Sequence, residues 1–236
     1  MAGKDIQARL TELNENEILL YLGYRGQKYP AEVEAQIKRC EKDVLAAAMP
    51  RLIWRRLPVN GEDFTALALE GKDIRELLDG CREAVLMAVT LGPGVDKLLT
   101  RNSVSNMADA VIMDACASTA IENVADNFEM DLRREVEAEG LYLTDRFSPG
   151  YGDLPLSAQK KLCAALDTGR RIGLSLSPSL LMIPGKSVTA VLGIADMQKP
   201  LRKRGCENCS LFRDCMYRRD GKNCQGVADQ QKKRGE

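Results

Sequence analysis

Residues 84–91 read Ala-Val-Leu-Met-Ala-Val-Thr-Leu, and this stretch decides the fold class. Nearly all of its side chains are apolar, which predicts a strand in the middle of a sheet and buried on both faces. The strand runs into Gly92-Pro93-Gly94 and then into a helix through about Arg101. Strands that alternate with helices in this way predict an α/β domain.

The elements before this strand follow from apolar spacing and from turn residues. Helical spacing of apolar side chains predicts two helices at the start of the chain, and a third, short helix is stopped by Gly80. Alternating residues on either side of Asn60-Gly61 predict a β-hairpin. The predicted helices are 15–23, 30–49 and 73–79, and the hairpin strands are 51–59 and 63–69.

A long helix and several short strands are predicted after it. Ser105 to about Glu137 forms the longest regular segment, with apolar residues mostly three or four apart. The remaining predictions are a strand at 141–144, a helix capped by Ser157 and ending at Thr168, and strands at 180–183 and 188–194. Altogether we expect five or six strands in a single domain over 1–198, a Cys-rich metal-binding segment over 199–228 and a disordered tail over 229–236.

Composition excludes several classes of function. The 236 residues carry no net charge and the pI is near 6.5, so neither a nucleic acid nor a membrane surface is expected as the partner. The first sixteen residues have no apolar signal-peptide run, and no stretch reaches the ~18 apolar residues of a membrane span. We therefore expect a soluble, cytoplasmic protein.

Histidine is absent from the chain. Its absence excludes Ser-His and Cys-His nucleophilic machinery, imidazole-ligated zinc and a histidine proton shuttle. Any chemistry must therefore use carboxylates, arginine, tyrosine, serine, cysteine or a bound cofactor.

The loop Arg-Phe-Ser-Pro-Gly-Tyr at 146–151 follows one predicted strand and precedes a helix. Arg146 offers a fork of donors that suits a carboxylate. Pro149 stiffens the turn, Gly150 lets a ligand approach the backbone, and Tyr151 adds a flat ring with a hydroxyl group. The combination favours a small ligand with both acidic and basic groups, although Pro-Gly turns after strands are also common in ordinary loops.

Eight cysteines fall into two groups. Those at 40, 81, 116 and 163 are scattered through apolar segments and are predicted to be buried, small hydrophobic residues. The other four have the spacing Cys-x2-Cys-x5-Cys-x8-Cys, which suits a metal site. One Cys-x-x-Cys pair with uneven later spacing favours a 4Fe-4S cluster over zinc, with a metal-free segment as the weakest alternative. These predicted ligands are Cys206, Cys209, Cys215 and Cys224.

Five stretches together resemble the activation, or S-adenosylmethionine-binding, domain of cobalamin-dependent methionine synthase, in a stand-alone form. The Arg-x-x-Pro-Gly-Tyr loop is the most specific of them. The resemblance covers about residues 15–197. The stretches are Glu17–Gly26, Met87–Gly92, Ala120-Ile121-Glu122, Arg146–Tyr151 and Pro184–Val188.

The resemblance implies a C-shaped α/β fold of the α+β type, with a twisted, mainly antiparallel sheet flanked by helices. It also implies that S-adenosylmethionine lies along the 146–151 loop. Arg146 would then meet the methionine carboxylate, while the backbone of Ser148 and Gly150, with Pro149 and Tyr151, would hold the rest. By the resemblance, Glu122 would face the aminoacyl amine or the ribose. The sequence alone favours a surface position for Glu122 beside the apolar helix stripe, because an unpaired buried carboxylate is costly.

The same resemblance implies a function in reductive reactivation. The chain would act on cob(II)alamin of a partner, which is a corrinoid-dependent methionine synthase or a related corrinoid methyltransferase, and present the methyl group of S-adenosylmethionine to reduced cobalamin. The electron would come from ferredoxin or flavodoxin, and the cysteine cluster would relay it. The alternative is a non-catalytic S-adenosylmethionine-binding partner of a corrinoid protein with a structural zinc tail.

The sequence departs from the family in three places. Gly152-Asp153-Leu154-Pro155 follows the loop where the longer enzymes have an acidic-cysteine turn. Val191-Leu192-Gly193-Ile194 replaces a tyrosine-rich strand ending. The four-cysteine cluster is not part of the domain in those enzymes.

Overall fold

The computed structural model describes residues 4–24 and 28–198. Contacts divide the chain into two compact units. The first unit takes in the described parts of 1–10, 48–96 and 121–201, and the second those of 11–47 and 97–120.

A five-stranded sheet forms the centre of the first unit, and every neighbouring pair in it is antiparallel. Its strand order is β1-β2-β3-β7-β4, so the strand predicted from 84–91 is the middle one. A separate two-stranded sheet pairs β5 with β6. The strands are β1 Lys4–Gln7, β2 Arg51–Pro58, β3 Cys81–Thr90, β4 Tyr142–Leu143, β5 Ser175–Leu176, β6 Met182–Ile183 and β7 Ser187–Ala195.

The helices of the described residues include the long one predicted from apolar spacing. No helix in this described part of the chain combines the length and the apolar run needed to cross a bilayer. The helices are α1 Glu15–Tyr21, α2 Ala31–Ala47, α3 Glu62–Thr65, α4 Lys72–Leu78, α5 Pro93–Ser105, α6 Met107–Ala138, α7 Ala158–Leu166 and α8 Thr168–Ile172. Mixed helices around an antiparallel sheet confirm the predicted fold class.

One hydrophobic cluster of the first unit lies on one face of the sheet, because alternate strand residues point to the same side. Apolar residues of β2, β3 and β7 pack there against side chains from α3, α4, α7 and α8. On the opposite face the ring of Trp54 packs against Phe128 of α6, with centroids 5.8 Å apart. Members of the core cluster include Ile53, Leu57, Phe64, Leu67, Ile74, Leu86, Phe147, Leu154, Leu162, Leu166, Leu174 and Val191.

The predicted hairpin partner at 63–69 is wrong. Gly61 has an extended backbone and starts α3, where the N–H of Phe64 donates to the Gly61 carbonyl at 3.1 Å. Phe64 and Leu67 are then three residues apart on one side of a helical turn, and both enter the core. Strand β2 pairs with β1 and β3 instead.

Smaller differences occur at other element ends. Ser157 stands at the start of α7 with a helical backbone and makes no capping bond through its side chain. The helix predicted to run to Thr168 is interrupted at Asp167, which has a positive φ of 52° and separates α7 from α8. Strands β1 and β5 were not predicted, because neither has an apolar alternation long enough to stand out.

In the second unit, Asp109 near the start of α6 is an acceptor for side chains of α2. Arg39 Nη2 donates to both oxygens of the Asp109 carboxylate, at 2.6 and 2.8 Å, and Gln36 donates a hydrogen bond to it at 2.7 Å. The bond from Gln36, followed by that from Arg39, lowers the pKa of Asp109. This contact ties α2 to α6 within the unit.

Candidate functional site

The chain enters the 146–151 loop along β7, and it is fixed there by paired hydrogen bonds. Thr144 donates its N–H to the Gly193 carbonyl at 2.9 Å, and its hydroxyl accepts the Gly193 N–H at 2.7 Å. Phe147 and Val191 then exchange both backbone hydrogen bonds at 2.9 Å. Because Phe147 points into the core, Arg146 beside it is directed away from that core.

Ser148, Pro149, Gly150 and Tyr151 form a tight turn. The Tyr151 N–H donates to the Ser148 carbonyl at 3.2 Å, and Gly150 has a φ of +91°. Proline followed by a positive-φ glycine is the residue pair that a type II turn requires. The turn buries Pro149 and leaves the Tyr151 side chain at the surface, with a residue exposure of 68%.

A second set of contacts ties the end of this loop to α4. The Asp153 carboxylate accepts backbone N–H groups from Lys72 at 2.5 Å and from Asp73 at 3.0 Å. These two bonds, the Lys72 bond first, lower the pKa of Asp153. Gly71 and Gly152 both have positive φ values and approach the facing aspartates so closely that a Cβ on either would collide with a carboxylate.

The Arg146 side chain is only 7% exposed and lies against three carboxylates of α6. Its Nε is 2.8 Å from Glu129, and its Nη2 is 3.3 Å from Glu122 and also contacts Asp126. The three acids are four and three residues apart, which puts them on one helix face. Predicted residues Arg146 and Glu122 are therefore in direct contact.

Arg133 lies on the same helix face and contacts the two most buried acids, Glu129 and Asp145. Its Nη2 is 3.0 Å from Glu129 and 3.9 Å from Asp145, and its Nη1 donates to the Leu143 carbonyl at 2.5 Å. Glu129 and Asp145 are about nine-tenths buried at the side chain, whereas Glu122 and Asp126 are 41% and 56% exposed. We call these six charged residues the Arg146 cluster, namely Glu122, Asp126, Glu129, Arg133, Asp145 and Arg146.

One donor group of the Arg146 cluster is left over. Arg146 Nη1 is buried and has no hydrogen-bond partner among the residues that the structure describes. A buried donor without a partner is costly, and in native proteins it often marks the place of a ligand or an ion. An anionic group could supply the missing acceptor.

The other predicted site residues lie next to this cluster in sequence, and part of their backbone is already engaged. The Gly150 N–H donates to the Leu154 carbonyl at 2.9 Å, and the Ser148 carbonyl accepts from Tyr151. A carbonyl oxygen can take a second hydrogen bond, so Ser148 remains able to accept from a ligand. Asp126, Glu129, Arg133 and Asp145 were missed from the sequence, although the spacing of the first three with Glu122 was visible there.

Two further stretches of the family resemblance meet at the end of β3. The Leu91 N–H donates to the Lys186 carbonyl at 3.0 Å, and the Gly185 N–H donates to Asp96 at 2.8 Å. The Gly92 N–H donates to the Thr90 hydroxyl at 3.1 Å. Thr90-Leu91-Gly92 is therefore the end of strand β3, and Leu91 is hydrogen-bonded there to the 184–188 turn.

The four predicted metal ligands, Cys206, Cys209, Cys215 and Cys224, lie outside the described residues. Within 4–24 and 28–198 no group of three or more possible ligands is arranged to hold a metal ion. The four described cysteines are free thiols, and three of them are buried as predicted, whereas Cys81 is partly exposed.

The second unit carries a groove of about 490 Å³ between α1, α5 and α6. Apolar side chains with one carboxylate line it, and the predicted site residues are not among its described lining. The lining includes Tyr21, Leu99, Met107, Val111 and Asp114. Because Asp114 is the one carboxylate in its described lining, this groove offers a ligand fewer charged groups than the Arg146 cluster does.

Comparison with known proteins identifies the fold. No family model matches the sequence, and no curated protein matches it either. Among solved structures, a crystal structure of the MetH reactivation domain bound to AdoHcy superposes with a TM-score of 0.61. The chain shares the fold of the MetH reactivation domain. The superposition covers 97% of this chain and 89% of the MetH domain, at 17% sequence identity.

The likeness to MetH confirms the fold that the five stretches implied. At this identity it concerns the course of the chain alone, so the chemistry of the site follows from the residues that this sequence places there. In the MetH structure the bound molecule is AdoHcy, the thioether that S-adenosylmethionine becomes after it loses its methyl group.

Proposed function

We propose that the chain binds S-adenosylmethionine at the Arg146 cluster and the 146–151 loop, and uses it in the reductive reactivation of a corrinoid methyltransferase. The observation that carries the proposal is Arg146 Nη1, a buried cationic donor without a described partner beside two exposed carboxylates. The shared fold with the MetH reactivation domain supports it.

The charges of the cluster fit the amino-acid end of the ligand. That end carries a carboxylate and an ammonium group on one carbon. The carboxylate would supply the acceptor that Arg146 Nη1 lacks, and the ammonium group would lie against Glu122 or Asp126. An isolated anion such as phosphate would suit the site less well, because the acids of α6 would repel it.

The loop fits the remainder of the ligand. Tyr151 presents an exposed aromatic ring at the tip of the turn, and such rings stack on flat heterocycles such as adenine. Gly150 has no side chain to hinder an approaching ligand, and Pro149 holds the turn rigid. We expect Ser148, Pro149, Gly150 and Tyr151 to contact the nucleoside.

S-adenosylmethionine, when bound, supplies a methyl group bonded to a positively charged sulfur. In reactivation the carbon–sulfur bond breaks, the electron pair of reduced cobalt forms the carbon–cobalt bond, and AdoHcy leaves. The corrinoid belongs to a partner, a methionine synthase or a related methyltransferase, and a ferredoxin or flavodoxin provides the electron that reduces cobalt. The part of this chain is to bind and orient the methyl donor.

The four C-terminal cysteines fit this role as ligands of a 4Fe-4S cluster that relays the electron, since the potentials of such clusters reach about −700 mV. The alternative is that the four cysteines bind a structural zinc, in which case the chain would be a non-catalytic S-adenosylmethionine-binding partner of a corrinoid protein. Metal analysis together with an EPR spectrum of the reduced protein separates the two. Zinc without iron, or iron without a signal from a reduced cluster, would contradict the relay.

Calorimetric titration with S-adenosylmethionine tests the binding site. Arg146→Ala removes the donor, and we expect the affinity to fall about 10-fold to 100-fold, the range for hydrogen bonds to charged groups. Arg56→Ala is the matched control, because Arg56 also holds two carboxylates, Glu83 and Glu139, and is not part of the cluster. Equal affinities of the wild type and Arg146→Ala would reject the site.

A remethylation assay tests the function beyond binding. The chain is mixed with a corrinoid protein in the cob(II)alamin form, a reduced flavodoxin and S-adenosylmethionine, and methylcobalamin is followed by its absorbance. We expect methylcobalamin to form only when all the components are present, and to form more slowly with Arg146→Ala. Tight binding without any methyl transfer would favour the non-catalytic partner.

A further inference from the structure

Arg133 joins helix α6 to the strand end that presents Arg146. Its Nη1 donates to the Leu143 carbonyl at 2.5 Å, and its Nη2 donates to the Thr144 carbonyl at 3.4 Å. These two residues come directly before Asp145 and Arg146 in the chain. One side chain of α6 therefore holds the backbone from which Arg146 projects.

The same guanidinium group also contacts the acid that lies against Arg146. Glu129 has one carboxylate oxygen 3.0 Å from Arg133 Nη2 and the other 2.8 Å from Arg146 Nε. A carboxylate group is planar and rigid, so a contact that fixes one oxygen also orients the other. The position of the Arg146 side chain therefore depends on Arg133 through Glu129.

Burial makes the pair of Glu129 and Arg133 costly to break. Their side chains are 10% and 26% exposed. Water screens this pair less than it screens the contacts of Arg146 with Glu122 and Asp126, which are about half-exposed. Removing Arg133 would leave a buried carboxylate without one of its cations, so the loss should disturb the groups around Glu129.

From these contacts we infer that Arg133 is a positioning residue that keeps Arg146 in the orientation in which it binds the ligand. This inference rests on the proposed function, in which the carboxylate of S-adenosylmethionine meets Arg146 Nη1. Nε and Nη2 of Arg146 lie against acids of α6, and Nη1 has no acceptor in the described part of the chain. Arg133 itself donates to Glu129 and to backbone carbonyls, so we assign it no contact with the ligand.

A double-mutant cycle tests this dependence, with calorimetric titration of the full chain by S-adenosylmethionine as the measurement. Arg133→Met keeps an unbranched side chain and removes its charge and its donors. We expect it to weaken binding about threefold to 30-fold in the wild-type chain, which is within the coupling range of residues in one ion-pair network. In the Arg146→Ala chain the same substitution should change the affinity by less than about twofold, because the group that Arg133 positions is gone.

Arg134→Met is the matched control, because Arg134 is the next residue of the same helix and pairs with Asp131 at the surface. It should leave the affinity unchanged in both chains. Glu129→Gln is a second variant that keeps the shape of the side chain and removes the charge between the two arginines. It should show the same pattern as Arg133→Met, and it replaces that variant in the cycle if Arg133→Met does not fold.

Two results would overturn the inference and leave the proposed function standing. One is wild-type affinity in a folded Arg133→Met chain. The other is an equal loss of affinity in the wild-type and Arg146→Ala chains, since a merely structural role of Arg133 would weaken binding in both. Failure of the wild type to bind S-adenosylmethionine, or wild-type affinity in Arg146→Ala, would instead reject the proposed function at this site.

Discussion

At the scale of single residues, burial should make two thiols of the second unit unreactive. Burial, the largest contribution, raises the pKa of Cys40 to about 11 and that of Cys116 to about 12. The thiolate is the reactive form, so both cysteines should resist alkylation at about pH 8 while the chain is folded. Mass spectrometry of peptides after brief treatment with iodoacetamide measures this, with the urea-unfolded chain as the control. Rapid native labelling of Cys116 would contradict the prediction.

The residues of the Arg146 cluster show how much of the site the sequence could reveal. Arg146 and Glu122 could be predicted from the family resemblance. Asp126, Glu129 and Arg133 follow Glu122 at steps of four, three and four residues, so the sequence alone indicates that one helix face is charged. What could not be predicted is that this face meets Arg146, since that contact depends on where the strand before the loop packs.

At the scale of elements, Asp153 connects the 146–151 loop to the start of α4. Its folded pKa lies below the ordinary value near 3.8, because the N–H groups of Lys72 and Asp73 stabilise the carboxylate. A lowered pKa stabilises the folded state above the ordinary pKa, and this contribution is lost as the pH falls through the folded value. The tether should therefore hold at neutral pH and weaken in acid.

Hydrogen exchange of the Lys72 and Asp73 amides measures this tether. We expect Asp153→Ala to speed the exchange of both amides and to weaken S-adenosylmethionine binding, because the loop is no longer held. Asp153→Asn keeps an acceptor without the charge, so it should retain part of the protection and lose its dependence on pH in acid. Unchanged exchange in Asp153→Ala would show that the carboxylate does not hold α4.

Gly193 in β7 lies in a tightly packed position that has no room for a side chain. A Cβ at this position would lie 2.5 Å from Cys81 Sγ, 3.2 Å from Thr144 Cγ2 and 3.3 Å from Leu78 Cδ2. Gly193→Ala should therefore destabilise the chain by about 1–3 kcal/mol, as overpacking of a core usually does. Urea unfolding measures it. Cys81→Ala in the same chain should recover part of the loss, because it removes the nearest atom.

Gly169→Ala is the control for this measurement. A Cβ there would lie 3.9 Å from its nearest neighbour, an ordinary contact, and the residue is inside helix α8. Alanine is a better helix former than glycine, so this variant should be neutral or slightly stabilising. A Gly193→Ala chain as stable as Gly169→Ala would show that the strand relaxes around the added methyl group.

Prediction of the elements from sequence succeeded where apolar runs were long and failed at short alternating ones. Strand β3 and helix α6 were predicted because residues 84–90 of the strand are buried without interruption and the helix has one long apolar face. The hairpin at 63–69 was wrong, because Phe64 and Leu67 fit a period of three as well as the alternation of a strand. Segment 63–69 is not a strand because β2 pairs with β1 and β3 instead, and the residues of these strands are not neighbours of the segment in the sequence.

At the scale of the whole molecule, the proposed ligand site lies within the described residues, and the four C-terminal cysteines lie outside them. If the cluster is a separate electron relay, Cys209→Ser should reduce the bound iron and slow remethylation. Its affinity for S-adenosylmethionine should stay within about twofold of the wild type. Iron analysis and calorimetry on the same preparation measure both quantities. Loss of S-adenosylmethionine binding together with the iron would contradict separate sites.

The bridge between Phe147 and Val191 restricts how this chain can vary in length. Since successive strand residues face opposite sides, deleting one residue between Thr144 and Phe147 would either turn Arg146 into the apolar core or pull Phe147 out of it. Neither result is tolerable, because one buries a lone charge and the other opens a cavity. Relatives and designed variants that keep the Arg146 cluster should therefore show no single-residue insertion or deletion in this segment.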